Sequence, residues 1–323
     1  MERRFFIIDA FTDQRFAGNA AAVVLDAEGL DDRLMQAVAA EFNLSETTFI
    51  LPPSPPGDAD ASKGGARAAR ACGAIDSSIR FRWFTPTVEA TMCGHATIAG
   101  VHAMIESQMT PPAAFDNEGA PLLIQTRAGV LTAFVESMPA GNGRAIWLEL
   151  IPPTLTPLQR SLGKLVEYLK LSNDVFEPAV PPTQTQDRDA IVFVKDVFAL
   201  NSAKPDFALL GQWLGQRVLR GLCLATTATL TPAVSVQSRF FGPPVGIDED
   251  PVTGSVHGPL AVLLVKHGLV PMHDGSAGMM CLQGKAGGRA GVVWALVRCR
   301  ANHEYSVRIG GQTVTTMRGT LTI

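Results

Sequence analysis

Two glycines stand at the starts of apolar, helix-patterned runs: Gly94 in Cys93-Gly94-His95-Ala96-Thr97 and Gly254 in Thr253-Gly254-Ser255-Val256-His257. A glycine at a helix start lets the backbone approach a ligand closely, and the first free N–H groups with the positive end of the helix dipole attract anions. Two such starts facing each other would make a carboxylate-binding cleft. Phosphate fits less well, because neither GxGxxG nor GxxxxGK[ST] occurs at these positions. Three ionisable groups belong to the same stretches: Glu46 in Asn43-Leu44-Ser45-Glu46-Thr47, His95 at the first helix start, and Asp250 just before the second. Glu46 falls where a helix gives way to a strand, with Leu44 and Phe49 as an apolar wall, and a carboxylate so placed can take and return a proton.

Each of these residues also has a structural use. Glu46 reads equally as a capping or solvated glutamate, His95 as a helix-start histidine bound to backbone or water, and Asp250-Pro251 as a helix cap followed by a first-turn proline. Cys93 at a helix start is a candidate acidified thiol. A two-thiol racemase needs a counterpart, however, and the second unit offers Thr253-Gly254-Ser255, so Cys93 is read as a buried structural residue. His102, His257, His267, His273 and His303 show no HExxH or other metal spacing and are assigned to core or surface, with no metal site expected.

The elements that must position these groups follow from local pattern. Phe5 to Phe11 and Ala20 to Leu25 read as strands, Asp31 to Phe42 as an amphipathic helix, and Glu46 to Leu51 and Ile79 to Phe84 as strands again. Pro52 to Ser78 is rich in Pro, Gly, Ala, Ser and Arg with almost no large apolar residue, and reads as a long hairpin insertion. A helix is expected from Ala96 to about Ile105, then strands at Leu122 to Gln125 and Val130 to Val135. Further on, Ala145 to Leu150 and Ile191 to Val194 look like strands, and Thr156 to Leu171 and Pro205 to Gly215 like helices.

An internal echo organises the whole. Phe84-Thr85-Pro86, Glu89, Cys93-Gly94-His95 and an apolar helix are answered by Phe241-Gly242-Pro243, Asp248-Glu249-Asp250, Thr253-Gly254-Ser255 and the run Leu260 to Val265. Paired strands trail each unit, at Gln125 to Val130 and at Gln283-Gly284 through Val293. Two similar halves are therefore expected.

Composition bounds the rest. The 323 residues are 46% hydrophobic and 18% charged, enough for two ordinary cores, and the net charge of −3 gives no field to draw nucleic acid or an anionic membrane. The early acidic residue after Met1 does not suit a signal peptide, and no apolar run approaches the roughly 20 residues a membrane helix requires. A cytoplasmic protein acting on a small molecule is expected. Five scattered cysteines, Cys72, Cys93, Cys223, Cys281 and Cys299, without CxxC spacing fit reduced thiols.

Four motifs in order resemble the PhzF-like phenazine-biosynthesis isomerase family: Asp9-Ala10-Phe11-Thr12 with Phe16-Ala17-Gly18-Asn19, Asn43-Leu44-Ser45-Glu46-Thr47, Arg82-Trp83-Phe84-Thr85-Pro86 leading to Cys93-Gly94-His95-Ala96-Thr97, and Gly246 to Ser255. The resemblance runs from residue 5 to the end. It implies an α+β, diaminopimelate-epimerase-like fold of two pseudo-symmetric halves, residues 1–127 and 128–312, each wrapping strands around a central helix, with strand 313–323 returning to the first half and the site in the groove between them. It implies a cofactor-free isomerase, without metal or nucleotide, that shuttles a proton on a small carboxylate-bearing substrate, and a homodimer. Its acid/base residue falls on Glu46, with His95 and Asp250 as helpers, and Asn19, Ser45, Gly94, Thr253, Gly254 and Ser255 as substrate-binding positions. Ala20, where proline commonly follows Gly-Asn, and the Pro52 to Ser78 insertion depart from the family pattern. A non-catalytic scaffold that binds a metabolite or a protein is the alternative on the same fold.

Overall fold

The computed structural model describes residues 1–53, 79–109, 120–138, 143–158, 162–285, 287–300 and 304–323. All but the first two residues of the Pro52 to Ser78 insertion lie outside them. The chain splits into two compact units, Met1–Glu149 with Gly310–Ile323, and Leu150–Ile309.

The first unit opens with β1 (Glu2–Ala10), β2 (Asn19–Val24), α1 (Asp32–Phe42), β3 (Thr47–Leu51), β4 (Ile79–Phe84) and β5 (Glu89–Ala90). Next come α2 (Gly94–Glu106), β6 (Leu122–Thr126), β7 (Gly129–Ser137) and β8 (Arg144–Leu150). Asp31 caps α1 by accepting a hydrogen bond from the Leu34 N–H at 2.8 Å, and Met35, Val38 and Ala39 bury against Phe49 and Phe84. The helix stops at Asn43, whose φ of 49° is the left-handed turn-off that asparagine tolerates, and four residues later, at Thr47, the chain enters β3. This short corner carries Ser45 and Glu46. The turn at Arg127-Ala128 is interior to the unit, since β6 and β7 pair antiparallel across it.

The second unit contains β9 (Leu155–Pro157), α3 (Leu165–Leu169), β10 (Thr183–Thr185), β11 (Asp189–Phe193), α4 (Val197–Ser202), α5 (Phe207–Gly215) and β12 (Gly221–Thr226). It continues through β13 (Val236–Gly242), β14 (Ile247–Asp250), α6 (Gly254–Lys266), β15 (Ser276–Gly284), β16 (Ala290–Cys299) and most of β17 (Tyr305–Gly311). The expected helix from Thr156 to Leu171 is not one element. Leu155–Pro157 pairs antiparallel with β10, and only Leu165–Leu169 is helical. Pro157 has no N–H to continue a helix and suits an edge strand, while Gly163 turns at a φ of 50° just before the helical piece.

The same pairing order recurs in both units. In the first, β1–β2 is antiparallel, β2–β3 parallel, β3–β4 antiparallel, and β4 pairs antiparallel with β5 and parallel with β6. In the second, β10–β11, β11–β12, β12–β13, β13–β14 and β13–β15 repeat these senses one for one. The hairpins β6–β7 and β15–β16 follow in turn. Finally β18 (Thr313–Thr322) lies antiparallel to β1, from Glu2 opposite Thr322 to Ala10 opposite Thr313.

Each unit has a helix buried on nearly every side, α2 through Gly94–Val101, Ala103 and Met104, and α6 through Gly254 and Val256–Leu264. Their apolar composition all round is what allows that placement. Strands enclosing one buried helix make the α+β architecture of each half.

Candidate active site

Glu46 is fixed by its backbone before its side chain is considered. Its carbonyl accepts from the Ala22 N–H at 3.3 Å, and the next two residues start β3. Thr48 then donates its hydroxyl to the Ala96 carbonyl at 2.8 Å, tying β3 to the first turn of α2. That tie brings the glutamate beside His95. Glu46 Oε2 lies 3.3 Å from His95 Nε2, with the Glu46 side chain only 15% exposed.

His95 is buried and surrounded by the other sequence-expected groups of this unit. Its Nε2 is 3.2 Å from Ser45 Oγ, and its Nδ1 is 3.5 Å from both Asn19 Nδ2 and Cys93 Sγ. Both ring nitrogens thus have polar neighbours, Nδ1 toward Asn19 and Cys93 and Nε2 toward Ser45 and Glu46. Cys93 occupies the cap position of α2 without a side-chain capping bond. Glu46 Oε2 is buried and makes no hydrogen bond within the described residues. Neither the capping nor the solvated reading of Glu46 matches this setting.

One ligand atom each from Glu46, Cys93 and His95 lies within 4.8 Å of the others. A carboxylate, a thiolate and an imidazole form a donor set suited to a borderline-soft divalent ion such as zinc.

The second unit gathers its own cluster. Thr253, at the cap position of α6, gives its hydroxyl proton to Asp250 Oδ2 at 2.5 Å and its N–H to Gln283 Oε1 at 2.9 Å. Gln283 Nε2 returns bonds to the Asp250 carbonyl at 2.9 Å and to Thr253 Oγ1 at 3.0 Å. Asp250 is thus not the helix cap; it braces the residue that is. Gly254 and Ser255 open α6, and Ser255 Oγ accepts from Arg220 Nη2 at 2.9 Å. Gln283, Arg220 and Asp189, which pairs with Arg220, were not singled out from sequence. Their signal was available in the repeat, since Arg220 directly precedes β12 as Glu46 directly precedes β3.

His257, one turn into α6, donates Nδ1–H to the Thr253 carbonyl at 2.8 Å and meets Ser238 Oγ through Nε2 at 3.4 Å. Complete burial drives its pKa down from the usual 6.5 to about 4, against the smaller upward pull of the Thr253 carbonyl. Above pH 6.5 the folded and unfolded chains both hold it neutral, and the stability is fully present. As pH falls toward 4 the unfolded chain takes the proton first, so stability is lost, by roughly 3 kcal/mol for a shift of this size. Stability measured against pH should therefore fall through this window more steeply in the wild type than in His257→Gln; parallel curves would show that His257 does not titrate in this way.

The model of the phenazine biosynthesis-like protein family, PhzC-PhzF, matches residues 8–319. The trans-2,3-dihydro-3-hydroxyanthranilate isomerase of Pseudomonas chlororaphis is 30% identical over 322 residues, 99% of each chain. An uncharacterized isomerase of Salmonella typhimurium, YddE, is 31% identical over 320 residues, 97% of this chain and 96% of that protein. The crystal structure of a PhzF-family protein from Bacillus anthracis covers the whole of both chains with a TM-score of 0.83 at 24% identity.

Proposed function

The chain belongs to the phenazine biosynthesis-like family of isomerases, and from that membership we propose that it moves a proton between two carbons of a small carboxylate-bearing substrate, with Glu46 as the carrier. One observation supports the reading above others: a buried Glu46 oxygen, 3.3 Å from His95 Nε2, has no hydrogen bond of its own within the described residues. With the His95 ring beside it, that oxygen keeps lone pairs for a proton taken from a ligand.

In this mechanism Glu46 takes a proton from a C–H beside a conjugated system. The C–H electrons shift into that system, the double bond moves, and the protonated Glu46 returns its proton to another carbon. One C–H bond breaks and one forms, so no oxidant or reductant is consumed. His95, with Nε2 toward Glu46, and Ser45 and Asn19 around it hold the carrier in place. Asp250, Thr253, Gly254 and Ser255 are assigned to substrate binding, as is Gly94, with helix-start N–H groups as carboxylate donors.

No metal enters the step. Turnover should survive exhaustive chelation; loss restored by a single metal would instead make Glu46, Cys93 and His95 a ligand set. The chain is assigned to the cytoplasm, in keeping with Cys223, Cys281 and Cys299 standing as thiols. No helix among the described residues is long and apolar enough to cross a membrane. The proposal is tested by incubating the protein with cell extract in heavy water and searching for a metabolite that gains carbon-bound deuterium. A protein-dependent gain supports it, and its absence with folded protein favours a binding scaffold.

A further inference from the structure

The repeat in which Gly254 is the counterpart of Gly94 also makes Arg220 the counterpart of Glu46. Each directly precedes a strand, β3 or β12, that pairs parallel with one neighbour and antiparallel with the next. Ser255 takes the place of His95, one residue past the helix-start glycine. Where the first unit holds a carboxylate beside an imidazole, the second holds a guanidinium beside a hydroxyl.

That guanidinium has a built-in counter-charge. Arg220 Nε donates to Asp189 Oδ1 at 2.8 Å and Nη2 to Oδ2 at 2.5 Å, while Nη2 also reaches Ser255 Oγ at 2.9 Å. Phe240 lies 5.7 Å from Cζ. Burial acts to lower the Arg220 pKa, but the hydrogen bonds and charge of Asp189 outweigh it and raise it, so the group stays charged. Asp189 is 1% exposed and the Arg220 side chain 31%. The remaining nitrogen, Nη1, makes no hydrogen bond within the described residues.

Two other arginine–carboxylate pairs show what a purely structural pair looks like in this protein. Arg82 spends Nε and Nη2 on Glu89 and Nη1 on Asp32. Arg239 spends Nε and Nη2 on Glu249 and Nη1 on the Leu200 and Ala203 carbonyls. Both have every edge occupied. Arg220, next to the expected binding residue Ser255, keeps one edge open.

We propose that Arg220 is a specificity-determining binding residue, whose Nη1 edge and neighbouring Ser255 hydroxyl receive the carboxylate of the substrate. The proposal rests on the reading of a carboxylate substrate and names the side chain that recognises it. Asp187 and Asp250 add negative charge around the guanidinium, so recognition comes from the directed donor edge rather than from a broad positive field. A planar carboxylate presented to that edge is held; a sulfate ion attracted only by charge is not.

Anthranilate and its amide, anthranilamide, serve as probes, with binding to the full chain measured by calorimetry. The wild type should prefer the acid by about tenfold or more, the scale of a charge-assisted over a neutral hydrogen bond. Arg220→Lys keeps a cation opposite Asp189 and should retain a weakened preference. The paired Asp189→Asn, Arg220→Gln variant leaves no buried charge alone and should bind both probes equally, with its melting temperature as the folding control. Should the pair fail to fold, Arg220→Lys decides by whether the preference shrinks. Glu46→Gln should keep the full preference, which separates failure of this anchor from failure of the proton carrier. An anthranilate preference unchanged in the folded Arg220 variants, or no anthranilate binding to the wild type at millimolar concentration, overturns the proposal.

Discussion

Glu46→Gln should lower turnover of the identified substrate by about two to four orders of magnitude, the usual scale for removing a general acid/base. Glutamine keeps the shape of the side chain and can still contact His95, so substrate affinity should change far less than rate. The surroundings make the comparison clean, because Glu46 is anchored through its carbonyl to Ala22 and its Oε2 makes no hydrogen bond that folding depends on. A melting temperature close to wild type is therefore expected as well. Asp250→Asn and His95→Gln should reduce both affinity and rate, since each residue braces others: Asp250 accepts from Thr253, and His95 stands among Asn19, Ser45, Cys93 and Glu46. Near-wild-type turnover by Glu46→Gln would transfer the carrier role to Cys93 or Asp250.

The largest expected effect on stability lies elsewhere in the second unit. Arg239 is 2% exposed and has all its donors placed: two on Glu249, at 2.7 and 2.8 Å, and Nη1 on the carbonyls of Leu200 and Ala203. Its guanidinium also lies 4.9 Å from the Phe241 ring. Arg239→Met leaves a half-buried carboxylate and two carbonyls without donors, and breaking a buried pair from one side costs about 3–5 kcal/mol. For a chain of this size that is on the order of 10 °C in Tm. The double variant Arg239→Met, Glu249→Leu removes both charges and should recover a large part of the loss. A single variant within about 1 kcal/mol of wild type would show that the pair contributes little.

The features legible in the sequence were those that local pattern determines. Helices behind Gly94 and Gly254 announce themselves because their residues are apolar all round, and the two units because Phe-Thr-Pro and Phe-Gly-Pro precede both. The corner holding Glu46 follows from Asn43, a residue that tolerates the left-handed turn ending α1. Features set by partners distant in sequence were hidden. Ile247–Asp250 forms a strand despite three acidic residues, because pairing with β13 and the Arg239–Glu249 contact override poor intrinsic preference. Thr156 to Leu171 shows helical spacing, yet its start is captured by pairing with β10. Arg220 and Asp189 are 31 residues apart and meet only because β11 and β12 lie side by side. Their meeting could have been inferred only by carrying the echo back beyond Phe241, to the residue before β12.

The central claim, that one carboxylate carries the proton from carbon to carbon, is tested most directly by following the label rather than the rate. The substrate is prepared with deuterium on the carbon that loses hydrogen and converted in ordinary water, and the product is analysed at early turnover. Wild-type enzyme should deliver part of that deuterium to the receiving carbon, because a buried Glu46 exchanges with solvent slowly enough to return some of what it took, and Glu46→Gln should form essentially no product. Product formed by Glu46→Gln at the wild-type rate, with the same label content, would contradict the account.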